Sequence, residues 1–369
     1  MGGDSGSSVI TGSPTMSLFI PLALARSLGL RLLNPLLAAR PARLSRGVGP
    51  LRRIHVLLAA GLLTASCSSG PASRTAPVAR VDGTPVTLQD TFQFDLDSTH
   101  TGRTHRLYVA VPEGPAPAAG HPVIYLLDGG AHFPTLERLT RALPRLARGF
   151  GVAAATPVIV GLTYPGDPAH NDQARGEDYT PPAPNLSNTG DRFSKKQGGA
   201  DRFLDFLKKE LEPALASRLP IDGSRTALMG HSYGGLLVLH AFFTRPTSFN
   251  AFIAGSPSIW WNDRYVLTEK KAFLERFART PVKARVLLTV GGLEQKPRKS
   301  EGTRGMFAAE RRMVDNAREL AVELAAMGGG DFAVQYLEFP GDDHYSAWLP
   351  MLSRGLLFFS APSLLPGAD

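Results

Sequence analysis

Ser232 stands in Gly230-His231-Ser232-Tyr233-Gly234-Gly235, followed by Leu-Leu-Val-Leu-His-Ala-Phe. A serine at G-x-S-x-G spacing is either a small residue in a tight turn or a nucleophile on a sharp strand-to-helix elbow. The pattern alone does not choose between them, but its surroundings favour the elbow. A β-rich run, residues 225–230, leads in, and an apolar helix-forming run leads out. Flanking glycines let the backbone turn without a Cβ clash. The following helix then aims its free N–H groups and positive dipole end at the serine.

A serine hydroxyl needs a base to react at neutral pH, and the base needs a carboxylate to hold its tautomer. On such an elbow the chain order is Ser, acid, His. Two histidines follow Ser232. His240 lies two turns along the helix and is expected to pack there. His344, in "FPGDDHYSAW" (339–348), falls just beyond the last expected strand and is the expected base. Glu294, in "TVGGLEQ" (289–295), is the expected acid. Asp342 and Asp343 rank lower, because side chains adjacent to the histidine on an extended loop diverge from it. Asp263 is a further rival. The oxyanion hole would use the backbone N–H of Tyr233 and one from the loop after residues 122–130, with Gly130 favoured and Ala131 the alternative.

These positions require alternating strands and helices. Strand-like runs fall at residues 104–111, 122–130, 156–164, 225–230, 250–257, 284–292 and 333–341. Helical patterns lie between them: 136–150, kinked or split by Pro144; an amphipathic run at 200–219; and 305–330, stopped by three glycines. The alternation implies a mostly parallel sheet with helices on both faces. Residues 91–111 are more polar and read as an antiparallel N-terminal edge. Residues 165–199 break the rhythm. A polar Pro/Gly-rich insert of this length, placed after a strand's carboxyl end, is where open α/β sheets bind ligands.

The formal charge of +8 resembles a nucleic-acid or anionic-membrane signal, but residues 1–66 hold seven arginines, no lysine and one acid. The rest carries 33 basic and 31 acidic residues, so no nucleic-acid footprint is expected in the body. The single cysteine, Cys67, excludes an intramolecular disulfide and multi-Cys metal sites. It follows Arg52, Arg53, the short apolar run 56–63 and the small residues Ala65 and Ser66. That order resembles a bacterial lipoprotein signal, with Thr64 where Leu is usual. The expected organisation is a leader at 1–66, in which 1–47 stand ahead of an alternative start at Val48; a lipidated Cys67 and flexible tether at 67–80; and one catalytic domain at 81–369. The expected destination is the periplasm, with a lipid anchor in the outer membrane.

Taken together, "GGADRFLDFLKKELEPAL" (198–215), "GHSYGGLLVLHAF" (230–242), "AGSPSIWWN" (254–262), "TVGGLEQ" and "FPGDDHYSAW" resemble the esterase-D-like esterases, an α/β-hydrolase family. The resemblance spans roughly residues 85–362. It is greatest to bacterial siderophore esterases that open catecholate trilactones, whose segment beside the active site is similar to "GEDYTPP" (176–182). It implies an α/β-hydrolase fold, with Ser232 as nucleophile, His344 as base and Glu294 at the acid position. Some members of that subgroup work with a Ser–His pair alone, which leaves the need for Glu294 open. The family also contains S-formylglutathione hydrolases, feruloyl and acetyl-xylan esterases and mycolyltransferases.

The expected function is therefore an exported serine esterase of the catecholate-lactone type, needing no cofactor and no metal. A general periplasmic carboxylesterase is the alternative. A non-catalytic hydrolase-fold lipoprotein is disfavoured because every expected catalytic position is filled. Ferric catecholates are anionic and aromatic, so cations near an open nucleophile are expected. Arg175 is the best-placed candidate, with Arg192, Lys195, Lys196, Lys296, Arg298 and Lys299 around it. Trp260, with Trp261, would offer an aromatic wall or pack beneath the insert.

Overall fold

The structure is a computed structural model describing residues 83–84, 86–166, 169, 171–296, 308–328 and 332–365. All of these fall in one compact unit, Val81–Asp369. Cys67, Arg298 and Lys299 lie outside the described residues.

Eight strands form a single sheet: β1 (Thr91–Asp97), β2 (Thr104–Ala110), β3 (His121–Leu126), β4 (Val158–Thr163), β5 (Ile221–His231), β6 (Ala251–Gly255), β7 (Ala284–Gly291) and β8 (Phe332–Phe339). Their spatial order is β1-β2-β4-β3-β5-β6-β7-β8. β1 and β2 run antiparallel, as does β2 with β4; every other pair is parallel. β3, β4 and β6 are buried along their whole length, whereas β1 has no buried residue. That contrast is what two covered faces at the centre and a solvated edge produce.

Successive strand residues feed opposite layers, as the two-residue repeat requires. Val123 and Tyr125 join the core beneath Phe203, Phe206, Leu236, Phe273 and Leu320, while Ile124 and Leu126 join Phe133, Leu136, Met351 and Leu356. The first layer is made by α3 (Ala200–Asp205), a π-helical turn (Phe206–Leu211), α4 (Glu212–Ala216), α5 (Tyr233–Thr244), α6 (Val266–Phe277) and α7 (Met313–Ala325). The second is made by α1 (Gly129–Gly149) and α8 (Trp348–Ser360). The wide turn ends just before Pro213, whose ring would press on the carbonyl four residues back in a regular α-helix.

Three expectations about helices change. α1 begins at Gly129, directly after β3, and continues through Pro134 and Pro144. Its apolar face, with Phe133, Leu136, Leu143 and Ala147 buried, holds it together where propensity alone would split it. The helix expected over 305–330 is interrupted at Arg312, whose left-handed conformation, φ 47°, separates the helical residues 308–311 from α7. The insert at 165–199 contains α2 (Asp172–Asp178), capped by the Asn171 side chain, which accepts from Ala174 N–H at 3.0 Å. Tyr179 and Thr180 of the insert are fully buried. No helix among the described residues is long and apolar enough to cross a membrane.

Candidate active site

β5 ends at His231 and α5 begins at Tyr233, so a single residue makes the turn between them. That residue, Ser232, has φ 60° and ψ −116°, a conformation L residues rarely adopt. Its backbone is fixed on both sides. Ser232 N–H donates to Gly255 O at 2.9 Å, and Ser258 N–H donates to Ser232 O at 3.1 Å. A Cβ on Gly230 would lie 2.6 Å from the Gly234 carbonyl carbon, and one on Gly235 would lie 2.6 Å from Gly255 O. Gly234, the second glycine of the motif, has ordinary room, with its nearest contact at 3.4 Å.

His344 stands on the loop after β8. Its Nε2 is 3.0 Å from Ser232 Oγ and its Nδ1 is 2.7 Å from Glu294 Oε2. Glu294 follows β7, and its side chain is 1% exposed. Its Oε1 accepts from Gly291 N–H at 2.7 Å and from Ser256 Oγ at 2.5 Å. The carboxylate is therefore aimed by its own strand end and by the loop after β6. The rival aspartates do other work. Asp343 Oδ1 accepts from the N–H groups of Tyr345 (2.9 Å) and Ser346 (3.0 Å), and Asp342 Oδ1 accepts from Ser346 Oγ (2.7 Å). Together they shape the turn that carries His344. Asp263 is exposed in a left-handed turn after Trp261.

β3 and β5 are neighbours in register, Leu126 opposite Met229, so α1 and α5 start side by side at one end of the sheet. First-turn N–H groups have no acceptor within their own helix. Tyr233 is the first residue of α5 and Gly130 the second of α1. Ala131, the alternative to Gly130, donates its N–H to Asp128 O at 3.0 Å. Gly129 is needed for a different reason: a Cβ there would lie 2.5 Å from the Gly161 backbone in β4.

The expectation for Arg175 needs correction. Its guanidinium makes a bidentate pair with Asp128, Nε to Oδ1 and Nη2 to Oδ2, both 2.9 Å. It also lies 5.6 Å from the Tyr179 ring and 5.5 Å from the Tyr233 ring. Burial opposes its charge, but Asp128 more than compensates and holds its pKa above the usual arginine value. Arg175 is thus a neutralised cation tying the insert to the start of α1, not a free one facing solvent. Asp128 N–H also donates to Tyr179 Oη at 3.3 Å. The insert is held from its other side by Tyr164 Oη on Asp178 Oδ2 (3.0 Å) and Arg103 Nη2 on Glu177 Oε2 (2.5 Å).

The two tryptophans divide the roles expected of them. Trp261 is fully buried and donates Nε1–H to Gln197 Oε1 at 3.0 Å, beneath the insert. Trp260 is half-buried, 6.2 Å from the Tyr233 ring, with the Arg311 guanidinium 4.2 Å above it. Arg192, Lys195, Lys196 and Lys296 are exposed. Sequence reasoning missed Ser256; Ser258, whose Oγ is 3.4 Å from Ser232 Oγ; the His231 ring, 4.7 Å from that of His344; and Arg311. The serines lie in the quoted stretch 254–262, but their roles depend on loops that only the fold brings together. Among the described residues no cluster of three or more His, Cys, Asp or Glu could hold a metal ion.

A family model described as Putative esterase matches residues 98–359. The ferri-bacillibactin esterase BesA of Bacillus subtilis (strain 168) is 34% identical over 270 residues, covering 72% of this chain and 88% of that protein. The siderophore triacetylfusarinine C esterase of Aspergillus fumigatus is 38% identical over 293 residues, 75% of this chain and 95% of that protein. The solved structure of the siderophore hydrolase EstA from Aspergillus nidulans is similar with a TM-score of 0.66 at 31% identity, over 76% of this chain and 98% of that one. That of the BES protein from Bacillus cereus gives 0.65 at 31%, over 77% and 99%.

Proposed function

Since the chain belongs to this esterase family, has its α/β-hydrolase fold and is a carboxylic ester hydrolase, we propose that it cleaves siderophore esters, of the catecholate lactone type, through Ser232, His344 and Glu294. One observation carries the mechanism: the hydrogen-bond chain from Ser232 Oγ through His344 to a buried Glu294.

His344 Nε2 takes the Ser232 proton as Oγ attacks the ester carbonyl. The N–H groups of Tyr233 and Gly130 receive the oxyanion that develops. Beside them the Arg175–Asp128 pair keeps the first residues of α1 in place. His344 then gives its proton to the departing alkoxide, leaving an acyl-Ser232 ester. Water, deprotonated by the same nitrogen, attacks that ester; the acid leaves and Ser232 regains its proton. Glu294 holds the imidazole tautomer throughout and stabilises the imidazolium.

The substrate part rests on relatives named for ferri-bacillibactin, triacetylfusarinine C, enterobactin and apo-salmochelin. The deciding experiment is a hydrolysis panel with the leaderless protein: catecholate lactones, feruloyl esters and short-chain p-nitrophenyl esters. A kcat/KM for the lactones well above the others is expected. A preference for the simple esters returns the chain to a general carboxylesterase. We also propose export with a lipid anchor at Cys67, supported by the order of residues 52–67. Mass spectrometry of the mature protein from membranes should find an acylated Cys67 as its first residue, and an unmodified soluble chain starting elsewhere refutes the anchor.

A further inference from the structure

With the Arg175 charge matched by Asp128, the site's anion recognition must come from another group. Resting on the siderophore reading above, we propose that Arg311, stacked on Trp260, is the specificity-determining cation of this site. The two form a cation–aromatic shelf for an anionic, aromatic substrate, the ferric tris-catecholate form of the ester.

Position is the first argument. Trp260 lies two residues beyond Ser258, whose hydroxyl is 3.4 Å from the Ser232 hydroxyl, and its ring neighbours that of Tyr233. The Arg311 charge reaches the same place: burial and then the hydrogen-bonded Asp191 carboxylate push the Tyr233 phenol up, and Arg175 and, less strongly, Arg311 partly oppose that rise.

The second argument is fixation. The Arg311 carbonyl accepts from Asn316 Nδ2 at 3.0 Å, and the Arg312 carbonyl accepts from Asn316 N–H at 2.8 Å. Asn316 is itself buried, and Arg312 has the left-handed φ that turns the chain there. The adjoining helix start is bound to the acid loop, because Gln295 donates to Asp315 Oδ2 (2.6 Å) and accepts from Asp315 N–H (3.0 Å). Arg311 is therefore set relative to Glu294 as well as to Trp260. On the other side, a Cβ on Gly190 of the insert would lie 3.3 Å from Trp260 Cζ3, so the insert closes tightly against the indole.

The third argument is charge. Arg312 pairs with Glu319 at 2.6 Å and approaches Asp315 at 3.6 Å. Arg311, one residue earlier, pairs with no carboxylate among the described residues and lies against the indole. A guanidinium lying on an indole is partly desolvated on one face, while its N–H edge and second face remain available. Catecholate oxygens suit the edge, and a catechol ring suits the face.

The test uses one ester in two charge states, the lactone with and without iron, alongside a neutral p-nitrophenyl ester. In Arg311→Gln the ratio of kcat/KM for the ferric to the iron-free lactone should fall on the order of tenfold, through KM. Arg311→Lys should restore part of it, and Trp260→Leu should lower it in the same direction. Parallel losses on all three esters, or an unchanged ratio, overturn the shelf. If wild type cleaves the neutral ester and neither lactone, the siderophore reading fails on its own. The shelf is then decided by equilibrium binding of the ferric complex to Ser232→Ala with and without Arg311→Gln. Weaker binding in the double variant supports it, and equal or absent binding overturns it.

Discussion

His344 and His240 each present Nδ1 to a glutamate at nearly the same distance, 2.7 Å to Glu294 and 2.8 Å to Glu269. Their other nitrogens separate them. His344 Nε2 meets the Ser232 hydroxyl, and its side chain is 31% exposed. His240 Nε2 faces Asp201 Oδ1 at 3.4 Å, and its side chain is 1% exposed. Arg245 also joins Asp201, at 3.0 Å. A His–Glu pair is thus chemically neutral as a motif. A proton acceptor with an open path to substrate can act as a base, whereas one enclosed by two carboxylates is drawn toward its charged form. Burial alone would pull the His240 imidazole down, but Asp201 and Glu269 reverse this and raise its pKa. The buried pair lies two turns along the helix that begins at the nucleophile. It fastens α5 to α3 through Asp201 and to α6 through Glu269.

The comparison breaks most sharply at His344. His344→Ala or Ser232→Ala should lower kcat on the order of 10⁴-fold or more with an unchanged melting temperature. Glu294→Gln should cost one to two orders of magnitude less, roughly as orienting carboxylates do elsewhere. A His344→Ala protein turning over near the wild-type rate would falsify the assignment.

His240→Gln should invert the pattern. It removes the imidazole between two carboxylates, and about 3 kcal/mol of stability should go with it, the low end for a broken buried pair because Asp201 keeps solvent contact. Turnover per folded molecule should stay near wild type. Denaturant unfolding beside active-site titration separates the two effects. The smallest expected effect is in pH. With a raised folded pKa, the His240 contribution is complete below the unfolded value near 6.5 and is lost as pH climbs through the folded one. Asp201, lowered chiefly by its bond to His240, contributes above its unfolded value of 3.8 and loses that contribution as pH falls through the folded one. Wild-type Tm should therefore decline on the alkaline side of about 6.5, and His240→Gln should flatten that decline. Equal slopes in both proteins would assign the pH dependence to other groups.

The same contrast separates what could be read from the chain from what could not. Ser232, His344, Glu294 and the first N–H of α5 follow from backbone rules and chain order, which act locally and leave a pattern. The eight-stranded sheet with its antiparallel edge was legible for the same reason. The partners of Arg175, His240 and Arg311 were not. Asp128 is 47 residues from Arg175, and Glu269 is 29 from His240. No local pattern records which carboxylate the fold brings to a given cation. What orders the insert was hidden in the same way. Its composition is that of a loop, while its order comes from Tyr164, Arg103 and Asp128, all outside it. The break in the helical run at Arg312 was not legible either, because its side chain does not announce a left-handed backbone.

The left-handed turn at Ser232 has an evolutionary consequence. A non-glycine residue in that conformation costs on the order of 1–3 kcal/mol, which glycine would largely recover. The most stabilising exchange available at this position is therefore also one that abolishes the nucleophile. By this argument the demand for catalysis is what favours a serine there, against a thermodynamic gain that an inert fold would collect. A population selected for heat resistance without any demand for turnover would enrich glycine at 232, and its survivors would be sturdier proteins that had ceased to be enzymes.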